Sequence, residues 1–156
     1  MKKIITVLAV FFFDRITKMY LIHLQGAGTD VDFYIFPFLN IFLVWNHGIG
    51  FGLLSLESNI FYHILTLVIV IINIVLIVFL IKMKGNYGNF IALVLGGSMG
   101  NLFDRAYYYA VPDFIDFHLE NFHWFTFNIA DIFITIGIFG LLVLEFLKKE
   151  KTKDNV

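Results

Sequence analysis

Apolar residues run through this chain in long blocks, with the polar residues gathered between them. Asn59 to Ile81 contains no formally charged residue, and a helix needs ~20 predominantly apolar residues to span a bilayer. Three other blocks are interrupted or shorter. Ile4 to His23 carries Asp14, Arg15 and Lys18 in its second half; Phe90 to Phe103 leads into Asp104 and Arg105; Ile132 to Leu147 runs to a lysine-rich end. The pattern predicts helices over about 4–23, 59–81, 87–107 and 130–148, with Gly85 to Asn89 as a short connecting loop.

Gln25 to Ser58 differs in kind. Val31, Phe33 and Ile35 alternate with Asp32 and Tyr34, and Ile41 to Trp45 is β-branched and aromatic. This period of two predicts short strands. Asn46 to Gly52 follows as a glycine-rich turn, so a β-rich segment is expected over about 28–52, outside the apolar spans. Residues 108–128, acidic and aromatic with Pro112 inside, are expected to form a loop.

Composition puts this pattern in a membrane. Of 156 residues, 60% are hydrophobic and 15% charged, and the mean hydropathy is +0.85. Soluble domains are nearer a quarter charged. The length accommodates four spans and no separate soluble domain, so residues 1–156 are read as one membrane domain. A net charge of −1 with no basic stripe gives no support to a nucleic-acid partner. The absence of cysteine excludes disulfides, a thiol nucleophile and thiolate metal ligands. Lys2 and Lys3 before a short apolar run resemble a secretory signal. No small-x-small cleavage site follows, however, and apolar character resumes at Met19, which favours a retained helix.

The lysines orient the spans. Lys2 and Lys3, Lys82 and Lys84, and Lys148, Lys149, Lys151 and Lys153 all fall on one side of a four-span topology, whereas 25–58 and 107–128 contain no Lys or Arg. The positive-inside rule then places both termini in the cytoplasm and the two larger connections outside.

Charges inside apolar helices are costly and draw attention to function. Asp14 and Lys18 share a helix face and can form an ion pair, structural or otherwise. Asp104 and Arg105 are adjacent, point in different directions and need separate partners, which could tie the bundle to the neighbouring connection. Asp113 and Asp131 are the candidate catalytic pair. Two carboxylates brought together cannot both ionise comfortably, so one keeps a proton, and the pair can activate water and protonate a leaving amine. Asp131 also has a bland reading as a helix-start residue favoured by the dipole, with Asn128 as its N-cap.

Other features compete. Gly96-Gly97-Ser98-Met99-Gly100 matches G-x-S-x-G, but that elbow requires a strand-to-helix turn, and in an apolar helix the same glycines serve close packing. His118 and His123 could be a general base or metal ligands, or hydrogen-bonded residues of an interfacial belt with Tyr107, Tyr108, Tyr109 and Trp124. Asn73 is expected to make an interhelical hydrogen bond.

Five motifs then occur together: Asp14-x-x-x-Lys18; Asn46-x-Gly48-x-x-Phe51; Gly96-Gly97-x-x-Gly100-Asn101-x-x-Asp104-Arg105; Asp113-Phe114; and Phe127-Asn128-x-Ala130-Asp131. In this order the chain resembles the lipoprotein (type II) signal peptidases, aspartic endopeptidases of bacterial membranes. The resemblance implies four transmembrane helices, a small extracytoplasmic β-sheet and a periplasmic loop over the site. It implies Asp113 and Asp131 as catalytic residues, and Asn46, Gly48, Asn101, Arg105, Asn128, Asp14, Lys18 and Asp104 as substrate-binding or dyad-supporting residues. It further implies cleavage of diacylglyceryl-modified prolipoproteins before the lipid-modified cysteine, without metal or cofactor. The implied setting is the bacterial inner membrane, with the active site toward the periplasmic face. Membrane lipids and globomycin-like peptide inhibitors are the implied partners, and a monomer is expected.

The chain departs from the family pattern at Pro112, where a small apolar residue is usual, and Pro112 stiffens the approach to Asp113. Asp116 competes for the dyad position, but Asp113 keeps the family's spacing from Asp104. From other classes, a proton-coupled carrier would use Asp14, Asp104 and Asp131 as a relay, yet the chain shows no inverted repeat. A non-catalytic lipid-binding scaffold and a serine protease built on Ser98 complete the alternatives.

Overall fold

In the computed structural model, which describes residues 1–48, 59–120 and 122–153, the chain forms four long helices and one small antiparallel sheet. The helices are α1 (Lys2–Gly26), α2 (Asn59–Lys82), α3 (Gly85–Tyr108) and α4 (Ile129–Lys153). The strands are β1 (Asp32–Phe36), β2 (Leu39–Asn46), β3 (Val111–Leu119) and β4 (Phe122–Phe127), in the order β1-β2-β3-β4. All three pairings are antiparallel.

Helix α3 is central and packs against α1, α2 and α4. Close approach is written into its glycines. A methyl group on Gly97 would lie 2.5 Å from the Ala130 carbonyl oxygen at the start of α4, and one on Gly100 would lie 2.6 Å from Asp14 Oδ2 of α1. Ser98 sits between these glycines in mid-helix, and its Oγ accepts a hydrogen bond from Asn73 Nδ2 at 2.9 Å. The packing reading of this motif and the interhelical role of Asn73 are thus both observed; a nucleophile elbow is not.

Away from α3 the bundle presents apolar side chains outward. Ile64, Leu67, Ile71, Ile74 and Val78 of α2, and Phe139, Leu142 and Phe146 of α4, are all exposed. Two helices, over Tyr62–Lys82 and Ile129–Glu150, are long and apolar enough to cross a membrane by length and composition. Such a surface suits lipid rather than water, and the chain is a membrane protein.

Lys3 donates to the carbonyls of Leu80 and Met83, and Tyr87 Oη donates to Glu145 at 3.2 Å. The start of α1, the end of α2, the start of α3 and the end of α4 therefore meet at one end of the bundle. The sheet caps the opposite end. Leu21 of α1 packs there with Val31, Leu43 of β2 and Phe114 of β3 in a small core, while Phe33, Tyr34, Phe36, Phe122 and Trp124 remain exposed along the sheet.

Two expectations are corrected. Gly85 to Asn89 is the first part of α3, which Gly85 opens with a left-handed φ of 61°, leaving Met83 and Lys84 as the connection. Residues 108–128 are mostly a β-hairpin, β3 and β4, rather than a loop. Pro112 lies near the start of β3 opposite Trp45, a strand-end position that tolerates a missing N–H donor. Of the glycine-rich turn, Ile49 to Gly52 lie outside the described residues, Phe51 of the sequence motif among them.

Candidate active site

The start of α4 fixes the geometry. Asn128 stands immediately before the helix, and its Oδ1 accepts the backbone N–H of Asp131 at 3.1 Å. Asp131 Oδ2 in turn accepts the backbone N–H of Asn128 at 3.2 Å. This reciprocal pair is a capping box, with an aspartate in the position usually held by Glu or Gln. One further orphan donor of the helix start, the Ala130 N–H, is taken by Asp14 Oδ1 of α1 at 3.0 Å.

The Asn128 side chain has a second partner. Its Nδ2 donates to Asp113 Oδ1 at 2.6 Å, and Asn46 Nδ2 of β2 donates to Asp113 Oδ2 at 2.8 Å. Both oxygens of Asp113 are held, and the residue is 2% exposed. Burial, then the neighbouring charge of Asp131, pushes the Asp113 carboxyl up to about 6, against the pull of the two amides.

Asp131 Oδ1 accepts from Asn101 Nδ2 at 2.8 Å, and Asn101 Oδ1 accepts from Lys18 Nζ at 2.9 Å. Lys18, fully buried, also reaches Asp14 Oδ2 at 2.9 Å and Asp104 Oδ2 at 2.7 Å. Arg15 closes the cluster: its Nη1 meets Asp104 Oδ1 at 2.5 Å, and its guanidinium lies over the Phe103 ring at 5.0 Å. Two cations thus face two carboxylates, Asp14 and Asp104, and this makes charges in mid-bundle tolerable.

Arg105 points elsewhere, as adjacency to Asp104 requires. Its guanidinium donates to the Gly48 carbonyl at 3.0 Å and to the Asn101 carbonyl at 3.2 Å. Asn46 Oδ1 accepts the Gly48 N–H at 2.8 Å, so Gly48 is held by the end of β2 through its N–H and by α3 through its carbonyl.

Asn46, Asn101, Arg105, Asp113, Asn128 and Asp131 line one cavity of about 310 Å³, whose apolar wall is Leu65, Val68, Ile69 and Ile72 of α2 with Ile134 of α4. Asp113 and Asn46 also line a cleft of about 380 Å³ on the sheet side, with Trp45, Gly48 and Trp124. A third, apolar groove of about 260 Å³, formed by Phe125, Phe127, Ile132 and Ile136, ends at Asp131.

A family model described as Signal peptidase (SPase) II matches residues 6–148. The chain belongs to the signal peptidase II family. Among its relatives, the lipoprotein signal peptidase of Pelagibacter ubique (strain HTCC1062) is 49% identical over 152 residues, covering 97% of this chain and 92% of the relative. That of Anaplasma phagocytophilum (strain HZ) is 38% identical over 151 residues, covering 95% and 94%. Two solved chains, each described as a bacterial membrane enzyme studied by the in meso method, have the same fold. One has a TM-score of 0.77 at 31% identity, covering 97% of this chain and 91% of the other; the second has 0.71 at 30%, covering 92% and 91%.

In this signal peptidase II chain, the ten residues singled out from sequence fall into two connected groups. Asp113, Asp131, Asn46, Gly48, Asn101, Arg105 and Asn128 surround the two cavities; Asp14, Lys18 and Asp104 form the charge cluster behind Asn101. Asp116 does not join them, and its carboxylate meets His118 and His123 instead. Arg15 lies outside the set that sequence motifs single out, although a third charge beside Asp14 in an apolar helix is a signal for it.

Proposed function

We propose that this chain removes signal peptides from diacylglyceryl-modified prolipoproteins, cutting before the lipid-modified cysteine, with Asp113 and Asp131 as the catalytic dyad. The observation that carries the assignment is the single cavity bearing both carboxylates, each oxygen of which accepts a hydrogen bond from Asn46, Asn101 or Asn128. Family membership supports the substrate class and weighs against the carrier and scaffold readings.

The dyad shares one proton. The ionised carboxylate takes a proton from water as the water oxygen attacks the scissile carbonyl carbon, and the protonated partner donates to the carbonyl oxygen. The tetrahedral diol then collapses: the C–N bond breaks, the leaving amine takes the proton from the protonated carboxyl, and a diol hydroxyl gives its proton to the ionised carboxylate, which restores the dyad with one proton. Asn101 and Asn128 hold the two carboxylates in register through these steps. Lys18, through Asn101, and Arg105, through Gly48, act as positioning residues.

The apolar wall of α2 and the groove ending at Asp131 suit a signal helix and acyl chains arriving sideways from the bilayer. The sheet-side cleft suits the peptide beyond the cysteine. All four helices span the membrane in this reading. Apart from Arg15, Lys18 and Arg105, the basic residues gather at the bundle end opposite the sheet, which supports cytoplasmic termini and a dyad near the periplasmic face of the inner membrane. The protein works as a monomer, and globomycin-like cyclic peptides compete for the cavity.

Reconstituted into liposomes, the enzyme should cut a diacylglyceryl-modified precursor and leave the same precursor with an unmodified cysteine intact, with mass spectrometry placing the new N-terminus at the modified cysteine. Equal cleavage of both precursors would contradict the substrate assignment.

A further inference from the structure

The hairpin β3–β4 brings together three side chains that the catalytic proposal does not use. Alternation along β3 puts Asp116 and His118 on one face. Glu120, with a left-handed φ of 52°, turns the chain, and the register then sets His123 opposite His118. A bulge between Phe117 and His118 brings His123 within reach of Asp116. His123 Nδ1 lies 2.8 Å from Asp116 Oδ2 and His118 Nδ1 lies 3.1 Å from the same oxygen. One ligand atom from each of the three residues falls within 4.8 Å of the others.

Hydrogen bonding accounts for only part of this cluster, through the bond between His123 Nδ1 and Asp116 Oδ2. Asp116 is fully buried and the His118 side chain is 8% exposed, yet Asp116 Oδ1 and His118 Nδ1 have no hydrogen-bond partner among the described residues. His118 Nδ1 is close to the carboxylate but out of line for a hydrogen bond. Asn40, directly opposite Asp116 on β2, leaves its own buried Oδ1 unpartnered as well. Buried polar atoms are ordinarily paired, so unpaired acceptors gathered around two imidazoles point to a missing partner that carries positive charge.

We propose that Asp116, His118 and His123 bind one divalent transition-metal ion of the zinc class. Two imidazole nitrogens and a carboxylate are a borderline-soft set that suits zinc better than magnesium or calcium. Zinc–ligand bonds of about 2.0–2.1 Å in a tetrahedron place the ligands about 3.3 Å apart, near the 2.8 Å and 3.1 Å by which the two imidazoles already approach Asp116 Oδ2. His123, 57% exposed in its side chain and lining the sheet-side cleft, gives the ion its way in. A metal there clamps β3 to β4 a few residues beyond Asp113. Its role is structural, although His123 and Asp113 line the same cleft.

The test uses full-length protein purified in detergent with a histidine-free tag, stripped with chelator and titrated with Zn²⁺ by calorimetry. Wild type should take up about one ion per chain and melt at a higher temperature with Zn²⁺, because an ion that binds only the folded state stabilises it. His123→Ala, at an exposed position, should fold, bind at least tenfold more weakly and lose the thermal shift. His63→Ala, which removes an exposed imidazole from α2, should behave as wild type. Co²⁺ should give a d–d spectrum in wild type that His123→Ala lacks. Failure of wild type to bind Zn²⁺, or equal binding by wild type and His123→Ala, would overturn the proposal and leave Asp116 as a hydrogen-bond acceptor for the two imidazoles. The readout is metal uptake, so its outcome is separate from that of the peptidase assay.

Discussion

Asn128 Nδ2 lies 2.6 Å from Asp113 Oδ1, while the same residue caps α4 by accepting the Asp131 N–H. One side chain therefore performs two jobs with its two ends. Its oxygen finishes a helix, and its nitrogen holds a carboxylate delivered by a strand 15 residues earlier in the chain.

The two jobs can be separated. Asn128→Asp keeps an acceptor for the cap but replaces the donor to Asp113 with a like charge. It should retain most of the stability while losing at least 100-fold in kcat/KM. Asn128→Ala should lose both, with a stability cost of about 1 kcal/mol for the cap read from thermal unfolding in detergent. Near-normal cleavage by Asn128→Asp would show that the contact with Asp113 does not matter to the reaction.

The raised pKa of Asp113 gives a pH dependence with a definite sign. A dyad working with one shared proton loses it as pH rises through about 6, so kcat/KM, which reports the free enzyme, should fall with an alkaline limb near that pH. Substrate filling the cavity removes more water and should move the limb in kcat to higher pH. The same shift is linked to stability. The contribution of Asp113 is complete below the ordinary aspartate value of about 3.9 and is lost as pH rises through about 6. Asp113→Asn should flatten the melting temperature over that window; an unchanged slope would assign the pH dependence to other groups.

Lys18 is the cation on which the buried cluster closes. Lys18→Met leaves Asp14 and Asp104 with Arg15 as their remaining cationic partner, and breaking a buried pair costs about 3–5 kcal/mol. It also removes the donor that orients Asn101 toward Asp131. The variant should melt earlier and turn over at least tenfold more slowly, and adding Asp104→Asn should recover part of the stability without the activity. If Lys18→Met melts like wild type, the cluster is not a stabilising element.

Much of this architecture was legible because apolar runs leave little freedom: α2 carries no charge before Lys82, and any fold must make it a helix facing lipid. The β1–β2 hairpin was legible from its period of two. The β3–β4 hairpin was not, because Asp113 on one face of β3 and Asp116 and His118 on the other are all buried where burial would lead one to expect apolar residues. Asn128 as a cap followed from local sequence, whereas its donation to Asp113 depends on where the sheet docks on the bundle. Likewise Asp14 and Lys18 are visible as an i, i+4 pair, but Asp104 joins them from another helix, and spacing along the chain carries no trace of that.

Cleavage of a diacylglyceryl-modified prolipoprotein, followed by gel shift with purified wild type, Asp113→Asn, Asp131→Asn and Asp116→Asn, tests the dyad. All four proteins should first be shown to be folded in detergent. Asp113→Asn and Asp131→Asn should not cleave, and Asp116→Asn should continue to cleave. Cleavage by Asp113→Asn together with loss in Asp116→Asn would contradict the assigned dyad.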